Sequence, residues 1–240
     1  LESMIVGEKQ ILEQVRQSTN SIIRRNNSQK YLFTVFDEAV KYANHIHNIL
    51  SSNIPNESIA LEAVNNIINL KFNIAKSKIL VMGAGQTAKL LIKHLVDYGA
   101  ENITISNRST DAGEKLALEM KTNFIEIKNY LKFIEDIDII ITATKSTDYL
   151  IKGEDVRYIL NKNKKNSMIF VDISSPRNID PTIKNISNIY LIDIDSLKSN
   201  KNICCPQRLK WFELAENLIS NHLKKYKIKN SLDDKQFVPL

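Results

Sequence analysis

The chain has 240 residues, 43% of them apolar and 25% charged, enough to bury a core in one large or two small domains and ordinary for a soluble globular protein. A net charge of +6 and a pI near 9.1 fit a polyanionic partner such as RNA only loosely, because no dense basic run accompanies them. No window has the length and apolarity of a membrane span and no signal peptide is visible, so no membrane partner and a cytoplasmic location are expected.

The first elements read as helices. Ile5, Ile11, Leu12, Val15, Ile22 and Ile23 recur at helical spacing from Ser3 to Arg25. The pattern is already under way at Leu1, with no cap before it, and a fragment of a longer protein is expected. A second helix is predicted over Tyr31–Leu50 and, after a break at 51–56 that contains Pro55, a third over Glu57–Phe72. The period then changes. Short β-branched runs appear at Ile79–Met82, Ile103–Ile105, Phe124–Ile127, Ile137–Ile141, Met168–Val171 and Ile189–Ile192. Helical stretches at Thr87–Tyr98, Asp111–Met120 and Glu154–Asn161 separate several of them. Strands alternating with helices predict an α/β fold, a Rossmann domain with a parallel sheet. From Gln207 the pattern is helical again. It fades near Tyr226, and the tail to Leu240 reads as a loop.

The first strand runs into Gly83-Ala84-Gly85-Gln86-Thr87-Ala88 and then a helix. In this strand-turn-helix context, Gly-x-Gly-x-x-Ala is a pyrophosphate cradle. The first glycine allows the turn and the second lets backbone approach phosphate. The third small residue lets helix and strand pack closely. The second strand ends in Asn107-Arg108-Ser109, where an NAD enzyme usually has an acid to accept from the ribose 2′-hydroxyl. A guanidinium and a hydroxyl suit a 2′-phosphate instead, so NADP(H) is predicted over NAD(H). The bland alternative is that Arg108 is a solvated residue at a strand end.

Two more segments belong at the carboxyl edge of such a sheet, where ligands bind. Thr142-Ala143-Thr144-Lys145-Ser146 leaves the fourth strand and should border the cofactor through Thr144. Val171-Asp172-Ile173-Ser174-Ser175-Pro176-Arg177-Asn178-Ile179-Asp180-Pro181 leaves the fifth. There Asp172 fits a backbone-binding role as well as a catalytic one. Arg177 fits a pair with Asp180 or an anionic substrate. On the first helix, Gln10 and Gln14 are four apart and share a face near Glu8. They suit either a solvated surface or the grip on an amino-acid head group. The histidines His45, His47, His94 and His222 read as single exposed residues, and no Cys/His spacing suggests a metal. Cys204 and Cys205 are adjacent and have no histidine nearby, which argues for a reduced compartment and against a nucleophile.

Taken together, Ser3 to Val15, the Gly83–Ala88 loop, Asn107-Arg108-Ser109 and the Asp172…Pro176-Arg177…Asp180-Pro181 segment resemble glutamyl-tRNA reductase, in the right order from Leu1 to about Tyr226. The resemblance implies NADPH-dependent reduction of glutamyl-tRNA(Glu) to glutamate-1-semialdehyde. That is the first step of tetrapyrrole (porphyrin, heme) synthesis by the five-carbon route and proceeds through a cysteine thioester. It also implies a homodimer and possible channelling to glutamate-1-semialdehyde aminomutase. On this reading residues 1–56 are the C-terminal helical part of the catalytic domain, 57–200 the NADP-binding Rossmann domain, and 201–240 the start of a spinal helix, dimerisation domain and tail. Ser3, Glu8, Lys9, Gln10 and Gln14 fall on substrate-binding positions. Gly83, Ala84, Gly85, Gln86, Thr87 and Ala88 fall on the NADP loop. Lys9 stands where Pro is usual, and Ala88 where Gly is common. The family's catalytic cysteine falls before Leu1, and neither Cys204 nor Cys205 matches it. Two alternatives stay open. One is another NADP-dependent Rossmann oxidoreductase, shikimate-dehydrogenase-like, which predicts a Lys/Asp pair in an N-terminal α/β domain. The other is a non-catalytic NADPH-binding remnant.

Overall fold

The structure is a computed structural model and describes residues 9–23, 30–50, 58–163, 167–199 and 206–233. The chain divides into two compact units, Ser58–Asn200 and the combination of Leu1–Glu57 with Lys201–Leu240.

The first of these is a six-stranded sheet: β1 (Lys78–Met82), β2 (Asn102–Asn107), β3 (Asn123–Glu126), β4 (Ile139–Thr142), β5 (Met168–Asp172) and β6 (Ile189–Asp193). The order is β3-β2-β1-β4-β5-β6 and every neighbouring pair is parallel. Every residue of β4 and β5 is buried, the reason their sequences are continuous apolar runs without alternation. The chain builds outward from β1 to β3, then returns to the other side of β1 as β4. That reversal opens a crevice beyond the carboxyl ends of β1 and β4.

Both sheet faces are covered. Leu80, Met82, Ile140, Met168 and Phe170 share a core with Ile134, with Val156 and Ile159 of a helix at Gly153–Asn163, and with Ile183. Alternation along the strands puts Ile79, Val81, Ile139 and Ile141 on the opposite face. The helices α3 (Ile59–Asn69) and α4 (Gln86–Asp97) pack together and bury Ala60, Ala63, Val64, Ile67, Ala88, Leu91, Ile92 and Leu95. Full burial of one such Leu or Ile contributes roughly 1.5–3 kcal/mol, an upper estimate because the unfolded chain is already partly collapsed. Next, α5 (Thr110–Met120) packs on β2 and β3. A Cβ on its Gly113 would press into the Phe124 ring, 2.8 Å from Cδ2.

Two short helices escape the sequence period, α6 (Tyr130–Phe133) and, after α7 (the Gly153–Asn163 helix), α8 (Ile194–Ser199). The second starts on a reciprocal cap: Ser196 N–H donates to Asp193 Oδ1 at 2.9 Å and Asp193 N–H donates to Ser196 Oγ at 2.8 Å. Helices of four and six residues are too short to show a 3.6-residue period.

The second unit is helical in its described residues: α1 (Lys9–Ile23), α2 (Lys30–Leu50) and α9 (Pro206–Asp233). Ile46, Trp211 and Ala215 form its small core, and the Tyr42 hydroxyl donates to Leu218 O at 2.9 Å. The Tyr42 ring stacks on His222 at 3.6 Å, and His47 lies 5.8 Å from Trp211. His47, His94 and His222 are thus half-buried rather than exposed as expected; only His45 is exposed. Burial holds His94 below the usual histidine range. Helix α9 also continues past the expected end at Tyr226. The apolar period reports a packing face, whereas continuation needs only helix formers and no breaker, and no Gly or Pro occurs between Pro206 and Pro239. No helix among the described residues is long and apolar enough to cross a membrane.

Candidate functional site

The two glycines after β1 are glycine for different reasons. Gly83 has φ +125° and its N–H donates to Ser106 O at 2.8 Å. A Cβ there would run into Ala143 O, 2.9 Å from Ala143 C and 3.3 Å from Thr144 Cγ2. Both the backbone angle and the neighbouring strand demand glycine. Gly85 has φ −84°, caps α4 without a side-chain hydrogen bond, and a Cβ there would meet nothing within 4 Å. Nothing inside the protein asks for a glycine at this point. The space lies at the N-terminus of a 12-residue helix whose first N–H groups gain no side-chain cap from Gly85, which fits a phosphate seated on the helix end. Around it Ala84 and Thr87 are half-buried and Gln86 is exposed, while Ala88 is fully buried where α4 meets β1.

At the end of β2, Asn107 Nδ2 donates to Ser109 O at 2.9 Å, and Ser109 Oγ accepts from Ala112 N at 3.4 Å as the N-cap of α5. This tight turn presents Arg108 outward. Its side chain is exposed, and among the described residues nothing pairs with the guanidinium. Asn107 and Ser109 thus shape the turn, a local role that the sequence reading did not assign.

Beyond β4 and β5 the picture reverses, because every polar group named there has a partner. Asp172, 2% exposed, accepts from Thr142 Oγ1 at 2.7 Å, Ser174 N at 3.0 Å, Asn178 N at 2.8 Å and Ile179 N at 2.9 Å. It is a structural anchor for the loop that carries the cis Ser175–Pro176 bond. Asn178, wholly buried, donates from Nδ2 to Ser146 O at 2.9 Å and Asp148 O at 3.1 Å, and its Oδ1 accepts from the Thr144 hydroxyl. Thr144 N in turn donates to Ser174 Oγ at 3.1 Å. Sequence reading passed over Asn178 and Ser174, since an Asn in a proline-bounded loop carries no periodic signal.

Arg177 pairs with neither Asp180 nor an open site. It reaches Asp195 and lies 3.5 Å from Asp193. Burial pushes the Asp193 carboxyl up, but hydrogen bonds from Lys184 Nζ at 2.9 Å and from Ser196 outweigh it and hold the group below the ordinary carboxylate range. Asp180 instead caps the turn at Pro181–Asn185. The Thr182 N–H that it accepts at 2.9 Å holds it below its usual range too.

Known proteins place this geometry. Residues 62–200 match the family described as Shikimate / quinate 5-dehydrogenase, and residues 1–49 match the family described as Glutamyl-tRNAGlu reductase, N-terminal domain. The chain is 32% identical over 229 residues to the glutamyl-tRNA reductase of Nitratidesulfovibrio vulgaris and 30% over 226 residues to that of Carboxydothermus hydrogenoformans. The chain belongs to the glutamyl-tRNA reductase family. Its residues 62–200 also make it a member of the broader shikimate/quinate 5-dehydrogenase family, which is the sheet domain described above. The solved glutamyl-tRNA reductase of Methanopyrus kandleri superposes with a TM-score of 0.58 at 25% identity, covering 98% of this chain and 60% of that one. Both sequence matches cover 94% of this chain but only 51% and 50% of the relatives, so it spans about half the length of the curated relatives it matches. The shikimate-dehydrogenase-like alternative is the weaker one. The relatives matched along 94% of this chain are named glutamyl-tRNA reductase, and residues 1–49 match that family's N-terminal domain.

Of the positions expected to bind substrate, Ser3 and Glu8 lie outside the described residues, as do Cys204 and Cys205. Lys9 and Gln10 open α1, and Gln14 is exposed one turn further on. Among the described residues no cluster of His, Cys, Asp and Glu could hold a metal ion.

Proposed function

We propose that this chain carries the cofactor site and part of the substrate site of a glutamyl-tRNA reductase, acting in NADPH-dependent reduction of glutamyl-tRNA(Glu) to glutamate-1-semialdehyde. Family membership supports the reaction. The observation that carries the choice of cofactor is Arg108, exposed and without a partner among the described residues, after a strand that ends without an acid.

In this reading Gly83–Ala88 and the N-terminus of α4 hold the pyrophosphate, Arg108 pairs with the 2′-phosphate in the turn that Asn107 and Ser109 shape, and Thr144 borders the nicotinamide. Lys9, Gln10 and Gln14 on α1, with Ser3 and Glu8, hold the glutamyl head group. The bound cofactor supplies the hydride for reduction of a cysteine thioester; hydride and a proton turn the thioester into aldehyde and thiol. The thioester cysteine is expected in the part of the relatives that this chain does not span. The full protein acts as a cytoplasmic homodimer that passes its aldehyde to glutamate-1-semialdehyde aminomutase.

Fluorescence titration with NADPH and NADH tests the cofactor assignment. NADPH should bind more tightly, and Arg108→Ala should remove the preference by weakening NADPH on the order of tenfold to a hundredfold, as expected for one charge-assisted phosphate contact. Equal binding of the two cofactors by the unaltered chain would overturn it. Gel-shift binding of glutamyl-tRNA, weakened by Gln14→Ala, separates a reductase from other Rossmann oxidoreductases; no binding of charged tRNA would count against the reductase.

A further inference from the structure

The carboxyl edge of the sheet holds a buried tie whose purpose the cofactor loop does not explain by itself. Asn178 uses every polar atom of its side chain to join two loops: Nδ2 donates to Ser146 O and Asp148 O after β4, and Oδ1 accepts from Thr144 Oγ1. Its own N–H is held by Asp172 Oδ2 after β5, and its carbonyl accepts from Leu150 N at 2.7 Å and Ile151 N at 3.1 Å. The Thr144 hydroxyl also accepts from Ser146 N at 2.9 Å. On its other side, Thr144 Cγ2 and Ala143 O fill the space where Gly83 has no Cβ. A continuous line of contact therefore runs from the first glycine of the phosphate loop, through Thr144, to Asn178.

In a doubly wound sheet a dinucleotide lies across the crevice at the switch point, with its second half beyond β4 and β5. We propose that Asn178 is a positioning residue for that nicotinamide half. It touches no cofactor atom. It locks the 144–148 backbone against the 172–180 loop, so that the floor under the nicotinamide and the glycine loop under the pyrophosphate move as one piece. Networks of this kind, buried with every member satisfied, make a backbone unique and rigid, and they fail together when one member is removed. The adenosine half, on Arg108 and Gly85, lies on the far side of β1 from this tie and does not depend on it. The inference rests on the cofactor site proposed above.

The test uses the whole 240-residue chain, its Asn178→Ala variant, and two probes. Adenosine 2′,5′-bisphosphate reports the adenosine half and NADPH reports both halves, with nicotinamide fluorescence and its anisotropy as the local readout. Asn178→Ala should leave the bisphosphate affinity within about twofold and weaken NADPH about tenfold, the size of one lost hydrogen-bonding group. The bound nicotinamide should also lose anisotropy. Asn178→Asp, which keeps the acceptor for Thr144 and loses both donors, should fall on the same side; it also serves if the alanine variant does not fold. Unchanged NADPH binding and anisotropy in the variants would overturn the proposal, and so would equal weakening of both probes. If the unaltered chain binds neither probe, the cofactor reading itself fails first, an outcome distinct from either.

Discussion

The two sides of the carboxyl edge treat their polar groups in opposite ways. On the β1–β2 side, Gly85 faces open space and the Arg108 guanidinium has no described partner. On the β4–β5 side, Asp172 and Asn178 are buried and bonded at every polar atom of their side chains. One side leaves polar groups and space open, as the cofactor site proposed above requires, and the other holds its own backbone still. Substitutions on the closed side should therefore cost stability, and those on the open side should cost binding.

The largest effect is expected at Asp172. Asp172→Ala leaves three buried N–H groups without an acceptor and the Thr142 hydroxyl with only Val171 O, at 3.5 Å, and should lower unfolding stability by about 4 kcal/mol in denaturant titration. A loss under about 1 kcal/mol would mean that the closed side tolerates water, and the contrast would fail.

The glycine pair sharpens the comparison within one loop. Gly83→Ala, at φ +125° and against Ala143, should destabilise by about 3 kcal/mol. Gly85→Ala should cost under about 1 kcal/mol in stability, the difference between two weak N-caps. It should nevertheless weaken NADPH on the order of tenfold, because the methyl occupies the space that the proposed cofactor site gives to phosphate. Similar melting temperatures for the two variants would erase the distinction.

Smaller effects are expected at one residue of β2 and one at the end of β6. Ser106 lies on β2 in register with Met82, fully buried, and its hydroxyl has no hydrogen-bond partner among the described residues. Ser106→Ala should raise stability by about 1 kcal/mol through removal of an unsatisfied buried group. A loss of stability would show that the hydroxyl has a partner. Weakest is a pH effect at Asp193. Its folded carboxyl titrates below the unfolded one, so its contribution is complete above about pH 4 and fades as pH falls through the folded value. Asp193→Asn should flatten the acid limb of a stability–pH curve. An unchanged limb would remove Asp193 from that account.

Much of this was legible in the sequence because it depends on short-range rules. The β-branched runs marked all six strands, though Ile137 and Asp138 fall before β4, since an apolar residue at a strand mouth reads like one inside it. The glycine loop and Arg108 were legible because a turn and a strand end impose their residue types locally. Asn178 and Ser174 were not, because their partners lie about thirty positions away, at Thr144 to Asp148. The pairing of Arg177 with Asp195 rather than Asp180 has the same cause: β6 brings Asp195 close, while Asp180 is held by its own turn.

By itself, then, the sequence determined the α/β alternation, the place of the phosphate loop and the absence of an acid after β2, all consequences of periodicity and of which residues a turn admits. Only the tertiary structure decided which of the two glycines is held by the protein and which faces outward. The same holds for Asp172 as an anchor rather than a reacting acid, and for Asn178 as the tie between two loops. Those assignments depend on burial and on partners remote in the chain, and the folding of the sheet alone creates both.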